Sequence, residues 1–445
     1  MSNKVVHRIS PSQENPGICF ADLASIGPRP SGYAPMRRAQ DRLVAAIAEG
    51  LPGVCPRLEP VALQAWQSGP VEIDVGVDDL RITAALPGVY SATEEVCAPL
   101  LDARGRGWSE VREAGVRGRI VLLSMGRDGS GAREAVAVQA ARVAAAGGVG
   151  LVLQGDPVAQ GHKIVLAGAN GPVAIPVVSV SHADGDALGG VARQSKAPCV
   201  RLRVGGACAP ATCYNVACDL PTASREPDAL TILSAHLDSM PLCTGALDNL
   251  TGVVTALAIA QELFAAPGAF KSALRLVFFT GEEYGFAGSR AYVRQHAGEL
   301  NRLRLVYNLD SLFAETARGI AVMGSESVHR RCAALAARID PGLEVRRQFC
   351  HTSDYLPFVL AGVPAARPAD WTDGFPACYH TPADNADSVS TSWIDANVRT
   401  HAAVLRALLE AADASTFARR SRAEVAQDIE AAGAAEKLRV YGFEW

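Results

Sequence analysis

The second half of the chain alternates short apolar runs with amphipathic stretches. The apolar runs predict strands that end at Ala235 or span residues 273–280, 303–309 and 363–367. Apolar positions at helical spacing predict helices over residues 252–265, 289–297, 327–338 and 392–411. This alternation indicates an α/β fold with a mostly parallel central sheet and helices on both faces. Ligands of such sheets gather at the carboxyl ends of the strands, so the residues that follow each strand are the first candidates for function.

Residues 85–205 follow a different pattern. They contain GRIVLLSMG, then the Ala-rich stretch REAVAVQAARVAAAGG, then GVGLVLQGD and GPVAIPVVSVS, which together predict a strand, a helix and two more strands. We therefore expect a smaller, β-rich domain inserted between residues 1–84 and 206–445, which together form the α/β domain. The last segment, 415–445, predicts a charged helical tail with the aromatic end YGFEW. It could pack on the body or form an oligomer contact, so the oligomeric state stays open.

Composition excludes several classes of protein. Hydrophobic residues make up 49% of the 445 residues and the formal charge is −4, so we expect neither a nucleic-acid partner nor a membrane partner. The first twenty residues contain no apolar run typical of a signal peptide, which leads us to expect a cytoplasmic location. The eleven cysteines are scattered, so most should be reduced. Gly147, Gly148 and Gly150 follow a helix and precede a strand, the reverse of a phosphate-binding loop, so no nucleotide cofactor is expected.

Six side chains able to bind metals lie close to the ends of the predicted strands. This strand-end cluster consists of His236, Asp248, Glu282, Glu283, Asp310 and His380. Removing a carboxylate from water is costly unless it is paired or binds a metal. Each of these residues could be explained on its own as structural. Six of them together at strand ends need a common explanation.

Each member also has an ordinary structural interpretation. His236 could be a hydrogen-bonded core residue, but Asp238 two positions later is suited to orient a metal-binding imidazole. Asp248 could be a helix N-cap, or it could bridge two cations. Glu282 and Glu283 could be first-turn acids, but the glycines at 281, 285 and 288 should delay the helix and hold both carboxylates on a turn.

The other histidines are weaker candidates. His296, His329 and His401 lie within predicted helices among polar neighbours, and we expect them to face solvent. His351, in HTSDY, could line the site but is not counted among the ligands.

The donor types indicate a particular chemistry. Imidazole and carboxylate ligands without thiolates fit catalytic zinc, with cobalt or manganese as possible substitutes. Two such ions about 3.5 to 4 Å apart activate a water and polarise a carbonyl, and a free carboxylate beside them can carry the proton to a leaving amine. The cluster therefore predicts hydrolysis of an amide bond, with one glutamate as a ligand and the other as a base.

The motifs resemble the co-catalytic di-zinc peptidase family that includes bacterial leucyl aminopeptidases, glutamate carboxypeptidase and the transferrin receptor ectodomain. The matching stretches, in family order, are AHLDS, GALDNLTG, FFTGEEYGFAGS, YNLDS, SDYLPFVLAGVP and YHTPAD. The resemblance implies that His236 and Asp310 hold one zinc, Glu283 and His380 the other, and that Asp248 bridges them. It also implies that Glu282 is the general base and that Tyr379 helps to stabilise the oxyanion.

Two further stretches extend the resemblance. IPVVSVS followed by ADGDAL, residues 175–188, resembles the protease-associated domain that several members carry as an insert, and IGPRPSG, residues 26–32, resembles the family's amino-terminal segment. Members with this insert are commonly secreted, whereas no signal sequence is visible in this chain.

The function that this resemblance implies is a di-zinc exopeptidase acting on peptides or a small amide, most simply an aminopeptidase. A carboxypeptidase or small-molecule amidase is the alternative and would need a basic pocket, for which Arg290 or Arg367 are candidates. Glutaminyl cyclase activity and an inactive receptor-like scaffold are further alternatives, and the complete ligand set argues against both.

Overall fold

The computed structural model of the chain describes most of its residues. The described ranges are 20–76, 80, 82, 84–128, 131–169, 171–193, 199–221, 228–266, 268–310, 312, 319–371, 375–411 and 415–445. The first nineteen residues, on which most of the expected cytoplasmic location depends, lie outside them. Within the described residues, no helix is both long enough and apolar enough to cross a membrane.

The described residues contain thirteen strands, twelve α-helices and three short segments, the π-helical Ala246–Leu250 and the 3-10 helical Ala297–Arg302 and Ala386–Ser388. The strands are β1 Arg57–Asp74, β2 Ala85–Pro87, β3 Glu95–Asp102, β4 Ile120–Ser124, β5 Gly150–Gln154, β6 Val177–Val180, β7 Cys199–Leu220, β8 Leu230–His236, β9 Ala273–Phe279, β10 Leu303–Asn308, β11 Gly319–Met323, β12 Glu344–Arg347 and β13 Ala365–Ala369. The helices are α1 Phe20–Ala24, α2 Ala34–Gly50, α3 Trp108–Glu113, α4 Val136–Ala145, α5 His182–Ala192, α6 Thr251–Ala265, α7 Ala287–Gln295, α8 Glu326–Ile339, α9 Leu356–Leu360, α10 Thr391–Ala411, α11 Arg422–Ala431 and α12 Ala435–Val440.

The central sheet has the order β12-β11-β13-β10-β8-β9-β7. Its middle strands, β13, β10, β8 and β9, are parallel, whereas β11 runs antiparallel to β13 and parallel to β12, and β7 runs antiparallel to β9. The fold is therefore mixed α/β with a parallel centre, as the sequence predicted. The short strand β11 and the polar edge strand β12 were not predicted, because neither has the long apolar run of the central strands.

Side chains on the central strands alternate between two hydrophobic clusters. On β8, Leu233 packs with residues of α2, α6, α8 and α10, whereas Ile232 packs with residues of α7, α9 and the carboxy-terminal helices. This alternation places helices on both faces of the sheet, because successive side chains of a strand point to opposite sides.

The inserted domain continues the same hydrogen-bonded ladder. Its strands follow the order β7-β3-β4-β5-β6-β2, and the long strands β1 and β7 pair with each other along most of their length. The boundary expected at residue 205 falls inside β7, which runs unbroken from the insert into the central sheet.

The carboxy-terminal tail packs on the body of the protein. The ring of Phe286 stacks with Tyr441 at 5.8 Å between centroids and with Phe443 at 6.2 Å. The helix α11 begins at a capping box formed by Ser421 and Glu424. Of the two alternatives that the sequence left open, the structure therefore supports packing on the body.

The expectation for His401 was wrong. This histidine is buried, and its Nδ1 lies 2.7 Å from the hydroxyl of Tyr307 on β10. It lies on the face of α10 that packs against the sheet together with Val398, Leu405 and Leu408. His296 and His329 are half-buried rather than fully exposed. Polar sequence neighbours mislead here because they lie on other faces of the helix.

Candidate metal centre and active site

The strand-end cluster assembles at one edge of the central sheet. His236 is the last residue of β8, Glu282 and Glu283 follow β9, and Asp310 follows β10. Residue 236 pairs with 279 on β9 and residue 234 with 308 on β10. The residues beyond these pairs therefore leave the sheet at the same edge, as expected for parallel strands.

The side chains form two groups of three that share Asp248. In one group, Nε2 of His236 lies 3.1 Å from Oδ1 of Asp248 and 3.5 Å from Oδ1 of Asp310. In the other, Nε2 of His380 lies 3.3 Å from Oδ2 of Asp248 and 3.1 Å from Oε2 of Glu283. The two oxygens of Asp248 thus face different groups, which is the arrangement required of a bridging carboxylate.

Two glycines allow the turns that carry these carboxylates. Gly281 has φ +68°, and a Cβ there would lie 2.9 Å from the Cβ of Ala287. Gly245 has φ +59°, and a Cβ there would lie 2.5 Å from the carbonyl oxygen of Asp248. A side chain at either position would strain the backbone and collide with the neighbouring turn.

Glu282 lies beside both groups and belongs to neither. Its side chain lines the cavity above the cluster. Burial, together with the carboxylates of Asp310 and Glu283, raises the pKa of Glu282 well above its usual value. A carboxyl group that faces the cavity and has an elevated proton affinity is suited to accept and release a proton.

Asp238 has a broader role than the predicted one. Nδ1 of His236 lies 3.2 Å from the backbone oxygen of Asp238 and 3.6 Å from its carboxylate, so the carbonyl accepts the hydrogen bond that fixes the imidazole. The carboxylate instead accepts hydrogen bonds from the backbone N–H groups of Glu282 (3.2 Å) and Glu283 (3.3 Å). Asp238 therefore orients both the histidine and the glutamate turn.

The number of buried carboxylates around the two histidines favours the binding of a cation. The buried carboxylates are Asp238, Asp248, Glu282, Glu283, Asp310, Asp354 and Asp384. Burial lowers the pKa of His380, but Glu283 and Asp248 outweigh it and raise the pKa to about 9. The Nε2 atom of His380 is buried and forms no hydrogen bond in the described structure. An imidazole nitrogen aimed between two carboxylates fits a divalent cation, and so does the mixed donor set of each group.

Two supporting residues were not identified from the sequence. The guanidinium of Arg29 is fully buried and donates to the backbone oxygens of Leu237 (2.9 Å) and Gly245 (3.2 Å), on the segments that carry His236 and Asp248. The carboxylate of Asp384 accepts hydrogen bonds from the backbone N–H groups of Leu247 (2.7 Å) and Asp248 (3.1 Å). Asp384 lies in the YHTPAD motif, which was a usable signal, whereas Arg29 had none beyond the motif IGPRPSG.

A cavity of about 470 Å³ opens above the cluster. Glu282, Glu283 and His380 form its floor. Its wall, called here the cavity wall, is formed by Lys163, Phe375, Tyr379, Lys437 and Tyr441. The ring of Tyr379 stacks on His380 at 3.8 Å and on Phe375 at 4.0 Å between centroids.

The basic residues of the cavity differ from those expected. Arg290 donates to the backbone oxygens of Tyr441 (2.6 Å) and Gly442 (2.9 Å) and so anchors the tail. Arg367 is on β13, and neither arginine lines the cavity. Lys163, Lys437, Arg127 and Arg133 line it instead. Burial lowers the pKa of each lysine to about 8, which leaves the ammonium form predominant at neutral pH.

The insert is in direct contact with the loop that carries His380. The backbone N–H of Ile164 donates to the carbonyl oxygen of His380 (2.8 Å), and that of Gln160 donates to the carbonyl oxygen of Ala377 (2.8 Å). The insert therefore shapes the cavity and also supports one of the candidate metal ligands.

Comparison with known proteins agrees with this architecture. Residues 215–405 match the model of Peptidase family M28, and residues 85–188 match that of the PA domain. Probable leucine aminopeptidase 2 of Aspergillus oryzae is 28% identical over 316 residues, which cover 67% of this chain and 60% of that protein. Carboxypeptidase Q of Rattus norvegicus is 26% identical over 357 residues, which cover 77% and 74%.

A solved structure shows the same fold. The crystal structure of a peptidase M28 precursor from Shewanella amazonensis aligns with a TM-score of 0.74 and 22% identity, covering 90% of this chain and 94% of that one. The motifs, the fold and the two matched domains therefore agree in relating residues 215–405 to Peptidase family M28 and residues 85–188 to the PA domain.

Proposed function

We propose that this protein is a zinc-dependent exopeptidase that removes residues from the amino terminus of peptides. The observation that carries the proposal is the pair of three-residue groups sharing Asp248, with Glu282 beside them and in neither. The Aspergillus relative is named a leucine aminopeptidase, which supports the same activity.

The ligand arrangement supports two zinc ions. His236, Asp248 and Asp310 would hold one ion, and Asp248, Glu283 and His380 the other. Each group offers three nitrogen or oxygen donors and leaves room for water or substrate, as in catalytic zinc sites. When bound, such a pair of ions polarises a peptide carbonyl and makes water more acidic.

The chain's own residues supply the proton transfer and the positioning. Glu282 would take a proton from the attacking water and give it to the leaving amine. The carboxylate of Asp238 accepts a hydrogen bond from the backbone N–H of Glu282 and so holds Glu282 in place, with the Glu282 carboxylate pointing into the cavity. The phenol of Tyr379, on the cavity wall, would donate a hydrogen bond to the carbonyl oxygen as negative charge develops there.

The charge of the cavity floor favours a free amino terminus. Glu282 and Asp310 remain close to the reacting centre, and a substrate ammonium group would be attracted to them. We therefore propose peptides with an unblocked amino terminus as substrates.

Metal analysis and one substrate series test this function. The purified protein should contain about two zinc ions per chain, and chelation should abolish hydrolysis that zinc restores. Leucyl-alanine should be cleaved at least about tenfold faster than its N-acetylated form, since acetylation removes the charge that the floor attracts. Full activity after complete metal removal, or equal rates for free and acetylated peptide, would contradict the proposal.

Carboxypeptidase activity is the second candidate, because two lysines line the cavity. The similarity to a relative named Carboxypeptidase Q also supports this candidate function. For a dipeptide the two activities break the same bond, so the choice depends on which substrate end is bound.

A further inference from the structure

The cavity has two poles of opposite charge. Its floor is acidic, with Glu282 and Glu283. The rest of its lining carries two lysines, Lys163 from the insert and Lys437 from the tail, together with the insert residues Arg127, Arg133, Glu134 and Asp156. A volume of about 470 Å³ lies within the range of small-molecule sites and suits a substrate the size of a short peptide. The two lysines come from separate parts of the chain and meet only in the folded protein.

Lys163 is fixed in place by its surroundings. Its carbonyl oxygen accepts a hydrogen bond from Ser179 (2.7 Å), and the next residue, Ile164, is bonded to the carbonyl oxygen of His380 (2.8 Å). The ammonium group lies over the rings of Tyr379 at 4.6 Å and Phe375 at 5.3 Å from the centroids. Cation–π contact holds this charge at the cavity wall without neutralising it.

Lys437 is fixed in a different way. Its ammonium group donates to the backbone oxygen of His351 (2.8 Å) and lies 3.1 Å from Nδ1 of the same residue. Both partners are neutral acceptors, because burial and the neighbouring Lys437 lower the pKa of His351 to about 4. The position of the lysine is therefore specified, while its charge is not balanced by its hydrogen-bond partners.

The two acidic residues of the insert that line the cavity each pair with an arginine, and Asp156 in addition attracts the ammonium group of Lys163. Asp156 lies 3.7 Å from Arg127, and Glu134 is paired with Arg142. Across the described ranges, neither of the two cavity lysines forms an ion pair. An ammonium group that is partly removed from water gains most from an anionic partner, and a bound substrate can provide one.

We propose that Lys163 and Lys437 form a carboxylate-binding subsite opposite the acidic floor. Substrates with a free carboxylate close to the cleaved bond are then preferred, which means dipeptides and other very short peptides rather than the ends of long chains. The proposal rests on the peptidase function proposed above. The carboxylate is that of the peptide's carboxyl terminus or that of an acidic side chain after the cleaved bond.

Three substrates separate these two sources. Leucyl-alanine carries a terminal carboxylate, leucyl-alanine amide carries none, and leucyl-glutamate α-amide carries one only on the side chain. With the zinc-loaded protein, we expect kcat/KM for leucyl-alanine to exceed that for leucyl-alanine amide by about 10- to 100-fold, the effect of a charged hydrogen bond. A high value for the glutamate amide would identify the side chain as a second accepted source.

Substitutions locate the subsite. Lys163→Met and Lys437→Met should each reduce the acid-to-amide ratio several-fold, and the double variant should bring it to within about threefold of one. Lys437→Arg should keep most of the ratio, because it keeps the charge. Lys271→Met is the matched control: this lysine is half-buried as well but precedes β9 at the strand end opposite to Glu282, so the ratio should not change.

Binding provides a readout independent of turnover. In the zinc-loaded Glu282→Gln protein, calorimetry should give leucyl-alanine a lower Kd than its amide. Adding Lys437→Met should reduce the difference, and adding Lys163→Met as well should remove most of it. Equal kcat/KM for acid and amide in the wild type, or equal losses for both substrates in the lysine variants, would overturn the subsite. Failure of the wild type to cleave any of the three substrates would instead overturn the peptidase function.

Discussion

The strand-end cluster and the cavity wall are built in different ways. Every member of the cluster comes from the α/β domain and lies inside a short motif, and all except His380 lie within a few residues of a strand or α-helix end. The wall combines residues of the insert, the tail and the 375–379 loop, which are far apart in sequence. The positions of the reacting groups are thus determined by local turns, whereas substrate choice depends on how distant segments pack against each other. The two can therefore be altered separately.

The largest effect is expected from the residue shared by both groups of the cluster. Asp248→Asn should reduce zinc content by roughly half or more and abolish measurable turnover, because each group loses a charged ligand. Elemental analysis and peptide hydrolysis would be measured on the same preparation. Normal zinc content in this variant would show that Asp248 does not bridge.

Glu282→Gln separates chemistry from metal binding within the same cluster. We expect kcat to fall by about 10² to 10⁴-fold while zinc content stays near that of the wild type, because Glu282 is outside both groups. Glu283→Gln is the matched control and should lose zinc. If the two variants behaved alike, the division of the glutamate pair into base and ligand would fail.

The stability of the metal-free protein should depend on pH, because groups of the cluster bind protons more tightly in the folded state than in the unfolded state. The pKa of His380 is raised from 6.5 to about 9, so its stabilising contribution is complete below pH 6.5 and is lost as the pH rises through 9. Glu282, whose pKa is also raised, acts in the same direction. Thermal unfolding should show the metal-free protein losing up to about 3 kcal/mol between pH 6.5 and 9.5. The zinc-loaded protein should not show this loss, and a metal-free protein that gained stability over the range would contradict the expectation.

The smallest effect is expected at the outer support of the cavity wall. Arg142 on α4 pairs with Glu134 and with Glu436 on α12, and so connects the insert to the tail. Arg142→Ala should lower the free energy of unfolding by roughly 1 kcal/mol and raise KM about threefold, with zinc content unchanged, because the pairs are partly exposed. A change in zinc content would show that metal binding by the strand-end cluster depends on the packing of the cavity wall.

The contents of the cluster could be read from the sequence because its signals are local. Apolar runs predicted β8, β9 and β10, and the polar residues just after them were the only candidates that parallel strands bring to one edge. The placement of Asp248 between His236 and His380 was implied by the family motifs alone, because neither Asp248 nor His380 directly follows one of these strands.

The other features of the site depend on contacts between distant segments, which the hydrophobic periodicity of the sequence does not predict. Lys437 reaches the cavity only because the tail stacks on Phe286, and Arg29, from a turn that precedes α2, supports the segments that carry His236 and Asp248. The same limitation affected His401, whose burial depends on which face of α10 meets the sheet. Asp238 was identified as an orienting residue, but its bonds to the glutamate turn became visible only in three dimensions.

The paired strands β1 and β7 also have a consequence for how such a molecule can change over generations. The chain leaves the α/β domain along β1 and returns along β7, and Asp74 is hydrogen-bond neighbour to Arg201. The two crossing points are thus one strand spacing apart, about 5 Å. A segment whose ends meet so closely can be exchanged, lengthened or replaced by a tight turn with little loss of chain entropy. Lineages of this fold can accordingly acquire new substrate preferences by trading one module, without rebuilding the sheet that carries the metal ligands.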